Sequence, residues 1–255
     1  MKTNNFSSFV FSFVILFAMF YGLGLLTANL DWTWGRILIG IVTVSGVTLS
    51  WSLIARIPIH QSFWKAGLGL PDWRTAGIAI GISMLMLAFF PLYASLTNVS
   101  LPLQKNWLWV LVGIIAGVGI AEESLFRGYV FGFLRQSQSF WKAATFSMLL
   151  FGGMHLLLLL WLPFSLAIAA IILAILAAYP TAYLFENGNR MIWPSAILHT
   201  NALATNLFEI PADLTVSLSL LWIGVVVIGL LLVFVARRLV LGQQRFNPNA
   251  ETQNI

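Results

Sequence analysis

Runs of about twenty apolar residues, each closed by a polar or charged cluster, recur along the chain from Phe6 to Val235. A helix of that length is what a hydrocarbon layer about 30 Å thick requires. In lipid, backbone polar groups must be satisfied within helices or a closed barrel, so a chain built of such runs has little choice of architecture. With 60% hydrophobic and 8% charged residues among 255, the apolar side chains cannot all be hidden in one water-soluble core. The sequence therefore reads as all-α: a polytopic integral membrane protein, a bundle of about eight transmembrane helices.

The runs are placed at about Phe6 to Leu30, Arg36 to Ala55, Thr75 to Leu96, Asn106 to Leu134, Trp141 to Leu162, Phe164 to Phe185, Met191 to Phe208 and Leu214 to Val235. The first is too long for the apolar region of a signal peptide and leads straight into further spans, so it is expected to be retained. The connector from Arg56 to Arg74 has room for a short interfacial helix around Phe63 and Trp64. By function the chain divides into N-terminal helices (1–105), a core carrying the ionisable residues (106–210), and a last helix with a polar tail expected to be disordered (211–255). The short connectors suit a bacterial or archaeal cell membrane.

No cysteine is present, which closes disulfide, thiolate and cysteine-metal chemistry. The net charge of +5 does not indicate nucleic acid, because the basic residues stand singly between apolar runs instead of on one face. They read as orientation signals. With eight crossings, one side collects ten of them, namely Lys2, Arg56, Lys65, Arg74, Arg135, Lys142, Arg190, Arg237, Arg238 and Arg245, and the other only Arg36 and Lys105. Both termini are thus expected in the cytoplasm.

Within the fourth run stands Ala121-Glu122-Glu123-Ser124-Leu125-Phe126-Arg127-Gly128, three ionisable groups in an apolar stretch. A charge at mid-membrane costs ~2.5 kcal/mol or more, so such residues face the protein interior and mark a site. Adjacent helical positions point about 100° apart, and Glu122 and Glu123 need different partners. Arg127, four residues after Glu123, can form an i,i+4 ion pair with it, whose bland reading is a structural clamp between packed helices. That leaves Glu122 as the candidate general base. Counting 1.5 Å per residue, Glu122 and His155 lie roughly 20 Å from the basic side and His199 about 14 Å. Asn206, about two turns after His199, is expected on its face, with Asn201 turned largely away. Gly113, Gly117, Gly119, Gly128 and Gly132 would let neighbouring helices approach.

The pattern Glu-Glu-x-x-x-Arg (Glu122, Glu123, Arg127), Phe-x-x-x-His (Phe151, His155) and a His on a later helix (His199) resembles the CPBP family, the CAAX protease and bacteriocin-processing or Abi family that includes the type II CAAX prenyl endopeptidases. The resemblance covers roughly Asn106 to Phe208. It implies an intramembrane endopeptidase in which Glu122 activates a water with help from His155, and His199 helps stabilise the oxyanion. The family's third motif is usually His-x-x-x-Asn, whereas Leu203 stands four after His199, so that either Asn206 or Asn201 supplies the amide or one oxyanion donor is lost. The substrate implied is a membrane-associated or lipidated peptide or protein, with membrane lipids as surroundings and no nucleic acid. The hydrolytic site is expected in the cytoplasmic half.

Three other readings stand beside this one. Two carboxylates and two imidazoles form an acceptable N/O set for zinc, although Arg127 would oppose a dication and no His-Glu-x-x-His pattern is present, so no cofactor is assigned. A non-catalytic immunity or binding protein could use the same scaffold without turnover. A proton-coupled transporter would call for an internal repeat or paired interrupted helices, and neither is evident.

Overall fold

The computed structural model describes the backbone of residues 3–240 and side chains from 6 to 236. Lys2, Arg245 and the polar tail lie outside the described residues, as do the side chains of Arg237 and Arg238. Helices in chain order are α1 (Thr3–Leu26), α2 (Trp32–Ala55), α3 (Ile59–Lys65), α4 (Trp73–Thr97), α5 (Trp107–Leu134), α6 (Phe140–Leu160), α7 (Phe164–Asn187), α8 (Trp193–Thr200) and α9 (Thr215–Val240). Among the described residues, 7 helices are long and apolar enough to cross a membrane, all but α3 and α8. The chain is an all-α integral membrane bundle.

The run from Met191 to Phe208 differs from the long helix expected of it. It forms the 8-residue α8, with Pro194 in its first turn, and then a 3-10 segment over Asn201–Leu207. Its two ends nevertheless sit at opposite ends of the bundle. The N–H of Ile192 donates to Gly67 O (2.9 Å) and Trp193 Nε1 donates to Gly69 O (2.6 Å), in the connector between α3 and α4. At the far side the N–H of Gln104 donates to Leu207 O and that of Glu209 to Pro102 O, both at 2.9 Å. An eighth crossing therefore exists, made by a broken element lying among the long helices.

Contacts sort the two ends. Phe9 stacks on Phe133 with centroids 4.0 Å apart, Arg135 pairs with Glu186 at 2.9 Å, and Tyr183 meets Phe234 at 5.8 Å, which gathers the start of α1 and the ends of α5, α7 and α9. Glu186 is thus a bridging carboxylate, with Arg135 almost wholly buried. Opposite, Asp31 caps α2 through the N–H groups of Thr33 and Trp34 and also accepts from Trp109 Nε1, at the start of α5. The connector between α2 and α4 holds the expected short helix, α3. Its Lys65 ammonium lies 5.2 Å from the Trp51 ring centroid, and burial there lowers its pKa. Side chains such as Leu26, Phe11 and Phe164 stand outward, as lipid contact requires.

Candidate functional site

The glutamate pair sits where α5 departs from regular geometry. Hydrogen bonds reaching back five residues, from the N–H of Ala121 to Ala116 O and of Gly132 to Arg127 O, widen the turns on both sides of Ala121–Glu123. Such π-type turns are rare and recur at functional sites. Carbonyls loosened by them need partners, and Trp51 Nε1 donates to Gly128 O at 3.2 Å.

Small residues let neighbours reach this stretch. A Cβ on Gly119 would stand 2.6 Å from Thr200 Oγ1 and 3.1 Å from Ala196 O, so only glycine admits α8 to this depth. A Cβ on Gly117 would stand 2.7 Å from Arg36 Cδ, which fixes how closely α2 can lie. Gly132 has no such neighbour, its nearest atom on another helix being 3.8 Å away in Trp51.

Glu123 is fully buried and holds two partners with one oxygen. Its Oε1 is 3.1 Å from Arg127 Nη1 and accepts from His199 Nδ1 at 2.7 Å. Arg127, itself 1% exposed, donates through Nη2 to Thr181 Oγ1 on α7 (2.5 Å), and its guanidinium carbon lies 4.6 Å from the Phe151 ring centroid. The expected i,i+4 pair is present, and it does more than clamp a helix. It anchors the carboxylate that orients His199.

A carboxylate oxygen only accepts, so Nδ1 of His199 carries a proton and Nε2 is directed elsewhere. Nε2 lies 3.7 Å from Glu122 Oε2, an oxygen that is buried and has no hydrogen-bond partner within the protein. His155 closes the regular part of α6, and its Nδ1 donates to Phe151 O at 2.9 Å. Because that carbonyl can only accept, Nε2 of neutral His155 is the acceptor atom. The Phe151 ring packs edge-on against both imidazoles, 4.7 Å from His155 and 5.5 Å from His199.

Glu122, His155 and His199 all line one cavity of about 730 Å³. Its wall also includes Asn206 and Leu203. Asn201 does not take part, since its Nδ2 donates to Ser83 Oγ on α4 at 2.8 Å. The backbone at Leu203 leaves the helical region (φ −109°, ψ 19°), and the tighter turn carries Asn206 to the exposed rim. Two lining residues were not singled out in the sequence. Tyr21, whose hydroxyl donates to Met154 O at 2.8 Å, looked like an ordinary aromatic of the first span. Arg36 looked like a loop charge, yet it lies inside α2 with its guanidinium 5.1 Å from the Trp32 ring centroid.

The cavity corrects one expectation. Its wall draws on the end of α1, the start of α2, the end of α6 and the start of α9, and so occupies the half of the bundle away from the basic end. Thirteen residues at 1.5 Å each, counted from Arg135 or Lys142, already exceed half of a hydrocarbon core about 30 Å thick.

As to metal, no group of three His, Asp or Glu side chains converges as a ligand set among the described residues. Glu123 is committed to Arg127 and His199, so the donors do not fit a zinc site.

Fold and cluster together define a polytopic membrane protein with a buried carboxylate–imidazole centre. Residues 104–205 match the family model described as type II CAAX prenyl endopeptidase Rce1-like. That match, over less than half of the chain, supports the likeness to the CPBP, or CAAX protease, family. A search of curated proteins gives no match.

Proposed function

We propose that the protein is an intramembrane endopeptidase that hydrolyses a peptide bond with water, Glu122 acting as general base. The observation that carries this reading is the pairing of an uncommitted, buried Glu122 oxygen with two imidazoles of fixed tautomer on one cavity wall. Water bound between Glu122 and Nε2 of His155 gives one proton to the carboxylate as its oxygen attacks the scissile carbonyl carbon. The carbonyl oxygen becomes an oxyanion. His199, oriented through Nδ1 by Glu123, turns Nε2 toward that oxyanion and stabilises it when Nε2 also carries a proton. Collapse breaks the C–N bond, and the proton on Glu122 passes to the departing amine. Glu123, Arg127 and Thr181 act as positioning residues, and Asn206 at the rim contacts the peptide.

The substrate on this reading is a membrane-embedded or lipid-bearing peptide, a CAAX-type prenyl peptide or a processed bacteriocin-like peptide being the two family precedents. A second reading, a binding or immunity protein without turnover, draws support from Leu203 where the family has an amide. The two separate in detergent solution. Purified wild type is expected to cleave members of an apolar peptide library, and Glu122→Gln to lose about 10²-fold or more of that rate. Cleavage by neither while both bind the peptides would favour the second reading, and equal cleavage by both would overturn the role of Glu122 as general base.

A further inference from the structure

The cavity has a direction. Its wall reaches the surface at Leu30 between α1 and α2, at Trp161 and Leu162 between α6 and α7, and at Thr205 and Asn206 before α9. Leu30 and Trp161 are about half exposed, at 49% and 56%. These connectors lie at one end of the bundle, where Asp31 meets Trp109 and Leu207 meets Gln104. The connectors at the other end, 56–72, 135–139 and 188–192, contribute nothing to the wall among the described residues.

Charge is distributed in the opposite sense. The end remote from the cavity mouth carries Arg56, Lys65, Arg74, Arg135, Lys142 and Arg190. The mouth end carries Lys105, while Arg36 lies within α2 and lines the cavity. Cytoplasmic connectors retain Lys and Arg, so the remote end faces the cytoplasm.

Taken together, the geometry points to a protease that receives its substrate from the extracytoplasmic side of the membrane. Resting on the endopeptidase reading above, this makes the substrate an apolar segment of an exported or membrane-inserted polypeptide, reaching the site from the outer leaflet. A prenylated cytoplasmic tail would meet only the closed, basic end. The mouth suits an apolar segment: Leu25, Leu30, Trp161, Leu162 and Leu166 surround the approach to Glu122.

The chain contains no cysteine, so single cysteines report position without background. Leu30→Cys and Trp161→Cys mark the mouth, and Gln61→Cys, exposed on α3, marks the remote end. Intact spheroplasts and inverted vesicles of a bacterial host are treated with a membrane-impermeant maleimide. Cysteines at 30 and 161 are expected to label in spheroplasts and Gln61→Cys only in inverted vesicles. Labelling in one preparation shows that each variant is inserted and reactive. Leu203→Cys, deeper in the wall, is expected to react with a small impermeant thiosulfonate from the outside only. The reverse pattern, or labelling of every position from both sides, would overturn the inference. Neither result depends on hydrolysis, so loss of the protease reading through binding without cleavage would leave the sidedness standing, and a reversed orientation would leave the chemistry standing.

Discussion

Removing the charge of Glu123 gives the sharpest test of how the site is held. Arg127 and Glu123 are 1% and 0% exposed with 3.1 Å between Nη1 and Oε1. At an effective dielectric of about 20, unit charges at that separation attract by about 5 kcal/mol. Glu123→Gln keeps an oxygen for His199 Nδ1 but leaves the guanidinium with only Thr181 Oγ1 and the face of Phe151. An uncompensated buried charge costs about 3–5 kcal/mol. Arg127→Met strands the carboxylate and is expected to cost a similar amount. The double variant removes both charges together, and its loss is expected to fall well below the sum, because replacing a buried pair by apolar groups is often close to neutral. Thermal unfolding in detergent, followed by circular dichroism, reads the cycle. For a chain of this size each single change corresponds to a fall of about 10 °C. Additive single effects, or a fall of only a degree or two for Glu123→Gln, would refute the argument that this pair is a coupled, desolvated unit.

Other perturbations follow from the same geometry. Gly119→Ala drives a Cβ against Thr200 Oγ1 and Ala196 O, displacing α8 and with it His199; peptide cleavage is expected to fall about 10²-fold, with partial recovery in the Gly119→Ala, Thr200→Ala double variant. Thr181→Val takes away the Arg127 acceptor on α7 and is expected to cost about 1.5–3 kcal/mol in the same unfolding assay. Leu203→Asn places an amide where the family has one, and a gain in kcat of up to about 10²-fold with KM little changed is expected from an added oxyanion donor. An unchanged kcat would mean that the oxyanion is already fully served.

Much of the bundle was legible because lipid imposes a length on every apolar run, and the turns between runs concentrate Gly, Pro and charge. The Glu123–Arg127 pair was legible from its spacing on one helix. What escaped the sequence has definite physical causes. The hydrogen bond between His199 and Glu123 spans 76 positions, and no local periodicity reports it. Arg36 stands one turn inside α2, where a charge next to Trp32 and Trp34 resembles an interfacial residue, and only the packing of α2 on Gly117 turns it inward. The eighth crossing breaks at Asn201, whose side chain bonds to Ile197 O and Leu198 O and whose carbonyl accepts from Trp222 Nε1. Asn and Thr compete for backbone groups in this way, but the pattern alone does not say which will break a helix. The change from 3.6 to about 3 residues per turn then alters the face of every later position, Asn206 included.

Profiling of peptide termini by mass spectrometry, in cells expressing wild type or Glu122→Gln at equal levels, tests the central claim directly. The account predicts new termini that appear only with wild type and that fall within or beside apolar segments of exported or membrane-inserted polypeptides. Indistinguishable profiles across several growth conditions would contradict it, and the same scaffold would then be better explained by binding than by hydrolysis.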